Sequence, residues 1–116
     1  MSQSTFTHSE LFQLFFYVPE SHLESVKQAV FMAGAGKIGN YEGCAWQVAG
    51  TGQFRPIEGS QPFIGEQGTL EKVKEFRVEM VFERSKAEQV LKALKQAHPY
   101  ETPAYGVLEL ANHLYE

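Results

Sequence analysis

Residues 71–101 read EKVKEFRVEMVFERSKAEQVLKALKQAHPYE, a complete strand–helix unit with its own start and stop signals. Over 71–83 apolar and charged residues alternate. Phe76, Val78, Met80 and Phe82 share one face, and Glu75, Arg77 and Glu79 share the other, the period of a half-buried strand. Ser85 with Glu88 has the spacing of a capping box, in which hydroxyl and carboxylate satisfy free amides at a helix start. Ala87, Val90, Leu91, Leu94 and Ala97 then recur at helical spacing. His98-Pro99 ends the helix, because the residue before proline is pushed out of the helical region.

The same unit recurs upstream. Leu11 to Val18 (LFQLFFYV) reads as a strand with Phe12, Leu14, Phe16 and Val18 on one face and Phe15 and Tyr17 on the other. Apolar residues on both faces predict a central strand, or one whose outer face meets another subunit. Ser21 with Glu24 repeats the capping box, Leu23, Val26, Val30 and Ala33 give a helix over 22–33, and Gly34 ends it. The halves match at one constant offset: Ser21 on Ser85, Glu24 on Glu88, Val26 on Val90, Ala29 on Ala93, Ala33 on Ala97, Tyr41 on Tyr105. Further strands are expected over 43–54 and 104–110, with the last residues, 112–116, at an edge. The fold class is therefore α+β: a ferredoxin-like β-α-β-β-α-β sandwich, with a four-stranded antiparallel sheet and two helices on one face.

Nine of the ten glycines lie between Gly34 and Gly68, so the chain there turns tightly or approaches something closely. Trp46, Phe54, Phe63 and Ile64 in the same stretch argue against a simple linker. Residues 55–69 form a long excursion between the second and third strands, and loops of that length in compact domains are usually functional or serve assembly.

Composition narrows the classes. At 116 residues, 43% hydrophobic and 21% charged, the chain is one domain (1–116), with 1–9 a loose tail. A net charge of -4 gives no electrostatic case for nucleic acid or an anionic membrane. The single cysteine, Cys44, excludes an internal disulfide and reads as a small buried hydrophobe. The polar N-terminus and the absence of a long apolar run point to the cytoplasm.

Two segments carry candidate chemistry. Gly34-Ala35-Gly36-Lys37-Ile38-Gly39 matches G-x-G-x-x-G, but follows a helix and precedes a strand, the reverse of the dinucleotide context. It reads as a tight connection, or as a phosphate-holding turn using exposed amides and Lys37. His98-Pro99-Tyr100-Glu101 concentrates an imidazole, a phenol and a carboxylate between Pro99 and Pro103. It can serve as a metal site through His98 and Glu101, or as an acid–base pair. It can equally be a turn in which Tyr100 packs and His98 caps the helix dipole. If both αβ connections leave one end of the sheet, Gly36, Lys37 and Tyr41 line one cleft with His98, Tyr100 and Glu101, and a neighbour's 55–68 arm closes it.

The runs GAGKIGNYEGC (34–44), GTGQFRPIEGSQPFIGEQG (50–68), EKVKEFRVE (71–79) and HPYETPAY (98–105) resemble the YqfO-type domain. That domain is an insert in many bacterial members of the Nif-three-like family of hexameric, dinuclear-metal proteins. The resemblance covers about residues 11–110. H-P-Y-E followed by a proline also resembles CutA divalent-ion tolerance proteins, and both groups are similar in fold to PII signalling proteins. The resemblance implies a PII/CutA-like homotrimer, non-enzymatic, holding a small ligand or divalent metal ion at subunit clefts, with no nucleic acid or membrane partner. It implies no place here for the dinuclear-metal ligands, which belong to flanking halves. The alternatives are a small metal-dependent hydrolase or accessory enzyme using His98 and Glu101, and a purely structural assembly module.

Overall fold

The structure is a computed structural model and describes residues 8–115. The elements are β1 (Leu11–Pro19), α1 (Leu23–Met32), β2 (Trp46–Phe54), β3 (Glu71–Glu83), α2 (Ala87–Ala97) and β4 (Tyr105–Leu110), with a closing 3-10 turn over Ala111–Tyr115. The strands pair antiparallel in the order β2-β3-β1-β4. This is the expected ferredoxin-like arrangement, with β1 and β3 central.

The alternating pattern of 71–83 places Val78 and Met80 in register with Phe16 and Leu14 across the β1–β3 ladder. These side chains form the core with Val18, Phe82, Val26, Val30, Val90 and Leu94, all nearly or fully buried. Burying each of the larger ones contributes about 1.5–3 kcal/mol. Ser9 is also buried; its carbonyl accepts Arg84 Nε at 2.8 Å, so the expected loose tail does not extend to it. The rest of that tail, 1–7, lies outside the described residues.

Both helices start differently from the expectation. A 3-10 turn, Glu20–His22 before α1 and Arg84–Lys86 before α2, joins strand to helix with no side-chain cap. Leu23 N–H donates to Glu20 O and Ala87 N–H to Arg84 O, so backbone satisfies amides that the capping boxes were to serve. Ser21 instead pairs with His22 Nδ1 at 2.8 Å. The end of α1 is as expected: Gly34 at φ +115° lets its own amide reach Phe31 O and that of Ala35 reach Val30 O, both at 3.0 Å. Strand β2 starts at Trp46, so Cys44 falls in the preceding segment, half-buried, with its N–H on Gly36 O.

The molecule is elongated, 59 × 25 × 23 Å, with a radius of gyration of 16.4 Å; a compact domain of this length has about 13 Å. The cause is the β2–β3 hairpin. Its rungs from Thr51↔Lys74 to Phe54↔Glu71 lie beyond the last β1 pair, Pro19↔Glu75, and the 55–70 loop follows.

Candidate functional site

The sheet order settles where the two αβ connections lie. Strands β1 and β2 run one way and β3 and β4 the other, so α1 delivers the chain to one end of the sheet and α2 to the opposite end. Gly36 N–H accordingly donates to Val81 O, near the finish of β3, at 2.7 Å, whereas Ala104 O accepts Tyr17 N–H, near the finish of β1, at 3.1 Å. The single-cleft expectation is corrected: within one chain, Gly36, Lys37 and Tyr41 stand apart from His98, Tyr100 and Glu101.

At the first end, the glycine-rich turn uses its own amides. Besides Gly36, Cys44 N–H donates to Gly36 O at 2.8 Å, and Ile38 and Tyr41 exchange a pair of bonds at 2.9 Å. These donors are therefore engaged, while the Lys37 and Tyr41 side chains are exposed. Lys37 borders a shallow depression with Lys27, Glu24 and Glu42.

At the second end, the H-P-Y-E segment is built into the sheet. Strand β4 stops pairing at Phe16↔Tyr105, which leaves the Tyr17 carbonyl without a strand partner. His98 supplies it. The residue is 6% exposed, and Nε2 lies 2.7 Å from Tyr17 O. A carbonyl only accepts, so Nε2 carries the proton; Nδ1 then accepts Tyr100 N–H at 3.1 Å. Burial pushes the His98 pKa below the usual imidazole value, partly offset by the Tyr17 carbonyl and Glu75. Both ring nitrogens are thus engaged within the chain.

Tyr100 reaches across to β3, its hydroxyl donating to Glu75 Oε2 at 2.7 Å. Burial first, and then this bond, hold the phenol far above its ordinary range. Glu75 adopts this position because its side chain lies over Gly52 on the neighbouring strand, where any β-carbon would overlap the carboxylate. Glu101 turns the other way, Oε1 accepting Gln61 N–H at 2.9 Å. His98 and Glu101 therefore engage different partners. Among the described residues, no three His, Cys, Asp or Glu side chains are grouped to hold a metal.

Within one chain, its own 55–68 arm closes over the segment. Gly68 N–H donates to Pro56 O at 2.7 Å and closes the base of the loop. Phe63 then stands over the segment, its ring centroid 6.3 Å from Tyr100 and 5.4 Å from His22. Phe54 stands 6.1 Å from Tyr100 on the other side. The result is a cleft of about 260 Å³ walled by Phe54, Phe63 and Tyr100, with Glu75 and Glu101 at its polar positions. Of the residues singled out from the sequence, Tyr100 and Glu101 line this cleft, and Gly36, Lys37, Tyr41 and His98 do not. Sequence reasoning read Glu75 as a plain outward residue, and missed Phe54 and Phe63 as walls, although their presence in a glycine-rich stretch was a signal.

The sheet face away from the helices is the other notable surface. Trp46, Val48 and Leu108 are 57%, 44% and 48% exposed there. Phe15 lies on Gly106, with Arg77 stacked on it at 4.3 Å. Arg77 also bonds Tyr17 OH at 2.6 Å and Glu79 at 2.9 Å.

No protein-family model matches the chain. Curated relatives do. The chain is 44% identical over 106 residues to the GTP cyclohydrolase 1 type 2 homolog of Halalkalibacterium halodurans, covering 91% of this chain and 28% of the relative. It is 51% identical over 94 residues to that of Mycobacterium tuberculosis, covering 81% and 25%. The chain thus spans about a quarter of the length of these relatives. Among solved structures, a Bacillus cereus protein related to NIF3 superposes with a TM-score of 0.78 at 41% identity, covering 92% of this chain and 27% of that one. CutA from Synechococcus elongatus superposes with a TM-score of 0.64 at 19% identity, covering 92% and 84%, a likeness of fold. In sequence and in fold, this chain resembles the YqfO-type, PII/CutA-like segment of the NIF3-related family.

Proposed function

We propose that this PII/CutA-like domain is a non-enzymatic, self-assembling module, a homotrimer, that holds a small ligand in clefts at its subunit boundaries. The observation that carries the reading is the open sheet face. Trp46, Val48 and Leu108 leave apolar surface in water on the sheet face away from the helices. They stand on the two edge strands of one sheet face, and exposed apolar surface of this kind suits an interaction site. The face is also selective, since the Arg77–Glu79–Tyr17 network gives a partner copy polar groups to match. An obligate interface here buries upwards of ~2,000 Å² in total. The arm supports the small-ligand part of the reading alone, because it encloses a cleft walled by one chain instead of lying against the core. Its module works in the cytoplasm, and no helix among the described residues is long and apolar enough to cross a membrane.

Native mass spectrometry of protein purified without added metal tests both parts at once. A trimer retaining a small molecule supports the reading. A monomer at micromolar concentration removes the assembly, and a trimer with no retained or added ligand leaves the structural module.

A further inference from the structure

The cleft walled by Phe54, Phe63 and Tyr100 has a definite charge preference. Its two ionisable carboxyl groups, Glu75 and Glu101, are acceptors, and no lysine or arginine lines it. The other polar groups of the lining are neutral: the Tyr100 hydroxyl donates to Glu75 and that of Ser60 to Ile57 O, and Gln53 and Thr102 carry no charge. Arg77, on the adjoining sheet surface, is bound to Glu79 and Tyr17. A ligand that pairs with the two carboxylates must therefore bring the positive charge and the donors for them itself. The three rings stand tilted about Tyr100, at 54° for Phe54 and 45° for Phe63, so two walls converge on one slot. Ring faces carry the negative end of the aromatic quadrupole and attract cations.

A hard metal ion fits this lining poorly. It requires six or more oxygens at short range, and here one oxygen of each carboxylate is engaged by Tyr100 and Gln61. A planar, weakly hydrated cation fits better: its face lies on the rings and its N–H edge meets a carboxylate. We propose that the cleft binds a small planar organic cation, such as an amidinium, a guanidinium or a protonated heterocycle. This rests on the reading that the chain holds a small ligand. It does not require self-association, since one chain supplies every wall.

Three ring compounds of matched shape test it: benzamidinium, neutral benzamide and anionic benzoate. Each is titrated into the nitrogen-15-labelled full chain, with the amides of Gln61 and Tyr100 as reporters of the cleft. The expected result is saturable shifts of both amides with benzamidinium, at an affinity about tenfold or more above that of benzoate. Glu101→Gln keeps an oxygen for Gln61 N–H and removes the charge. It should weaken benzamidinium roughly two- to fivefold and leave benzamide unchanged. Benzoate binding as tightly as benzamidinium overturns the proposal, as do benzamidinium shifts that spare Gln61 and Tyr100. Sedimentation of the same samples separates the two readings. An assembled protein whose cleft ignores benzamidinium overturns only the ligand class, and a monomer that binds it overturns only the assembly.

Discussion

His98→Ala should destabilise the fold far more than an ordinary surface change. The ring stands in for a missing strand partner: Nε2–H serves Tyr17 O at 2.7 Å and Nδ1 receives Tyr100 N–H at 3.1 Å. Alanine leaves both backbone groups without these partners. An orphaned buried polar group costs about 1–3 kcal/mol. Tyr17 and Tyr100 are half-buried, so water reaches part of the vacated space and the lower half of that range applies to each. The two together cost about 2–4 kcal/mol, and the ring packing against Tyr100 at 4.9 Å is lost besides. For a domain of this size that is a fall in Tm of roughly 8–16 °C. Thermal unfolding followed by circular dichroism, with both proteins at one concentration, measures it. His98→Gln, whose amide can still donate to the Tyr17 carbonyl, should recover part of the loss. A His98→Ala protein as stable as the parent would refute the staple.

Other consequences follow from the same geometry. The His98 pKa in the folded chain lies below its ordinary value of 6.5, so the unfolded chain takes up the proton first. His98's contribution is then complete above pH 6.5 and declines as pH falls below it; denaturant titrations between about pH 7 and 5 should show a shallower decline in His98→Gln. Gly52→Ala should drive the Glu75 carboxylate off Tyr100 and lower the phenol's pKa, read by ultraviolet titration; an unchanged phenol would show that Glu75 does not depend on the bare strand. Gly106→Ala places a β-carbon in the Phe15 ring and should cost about 1–3 kcal/mol by overpacking, measured as a lower urea midpoint; an unchanged midpoint would mean that the ring moves freely.

The strands, the central place of β1 and the core were legible because burial imposes its period on the sequence. The alternation of Phe76, Val78, Met80 and Phe82 and the stripes of the two helices have no other economical reading. The helix starts were not legible. Ser21 and Ser85 have the right spacing for capping, but each strand passes straight into a 3-10 turn whose own bonds compete. The site was half legible. Proline on either side marked residues 98–103 as a fixed turn, and Tyr100 and Glu101 fell within it. Glu75, Phe54 and Phe63 join it only through the fold-back of a hairpin arm, a contact between distant segments that local pattern does not record. The single-cleft expectation failed on topology: antiparallel order sends the two helices to opposite ends of the sheet.

Self-assembly through the open sheet face is tested most directly by sedimentation velocity on the parent and on Val48→Glu and Leu108→Glu. Both residues are a little under half exposed in a single chain. A charge there changes monomer stability by only about 0.5 kcal/mol or less, while it opposes burial in an interface strongly. The account predicts a stable trimer for the parent at micromolar concentration and folded monomers for both variants. A monomeric parent, or variants that assemble as the parent does, would contradict it.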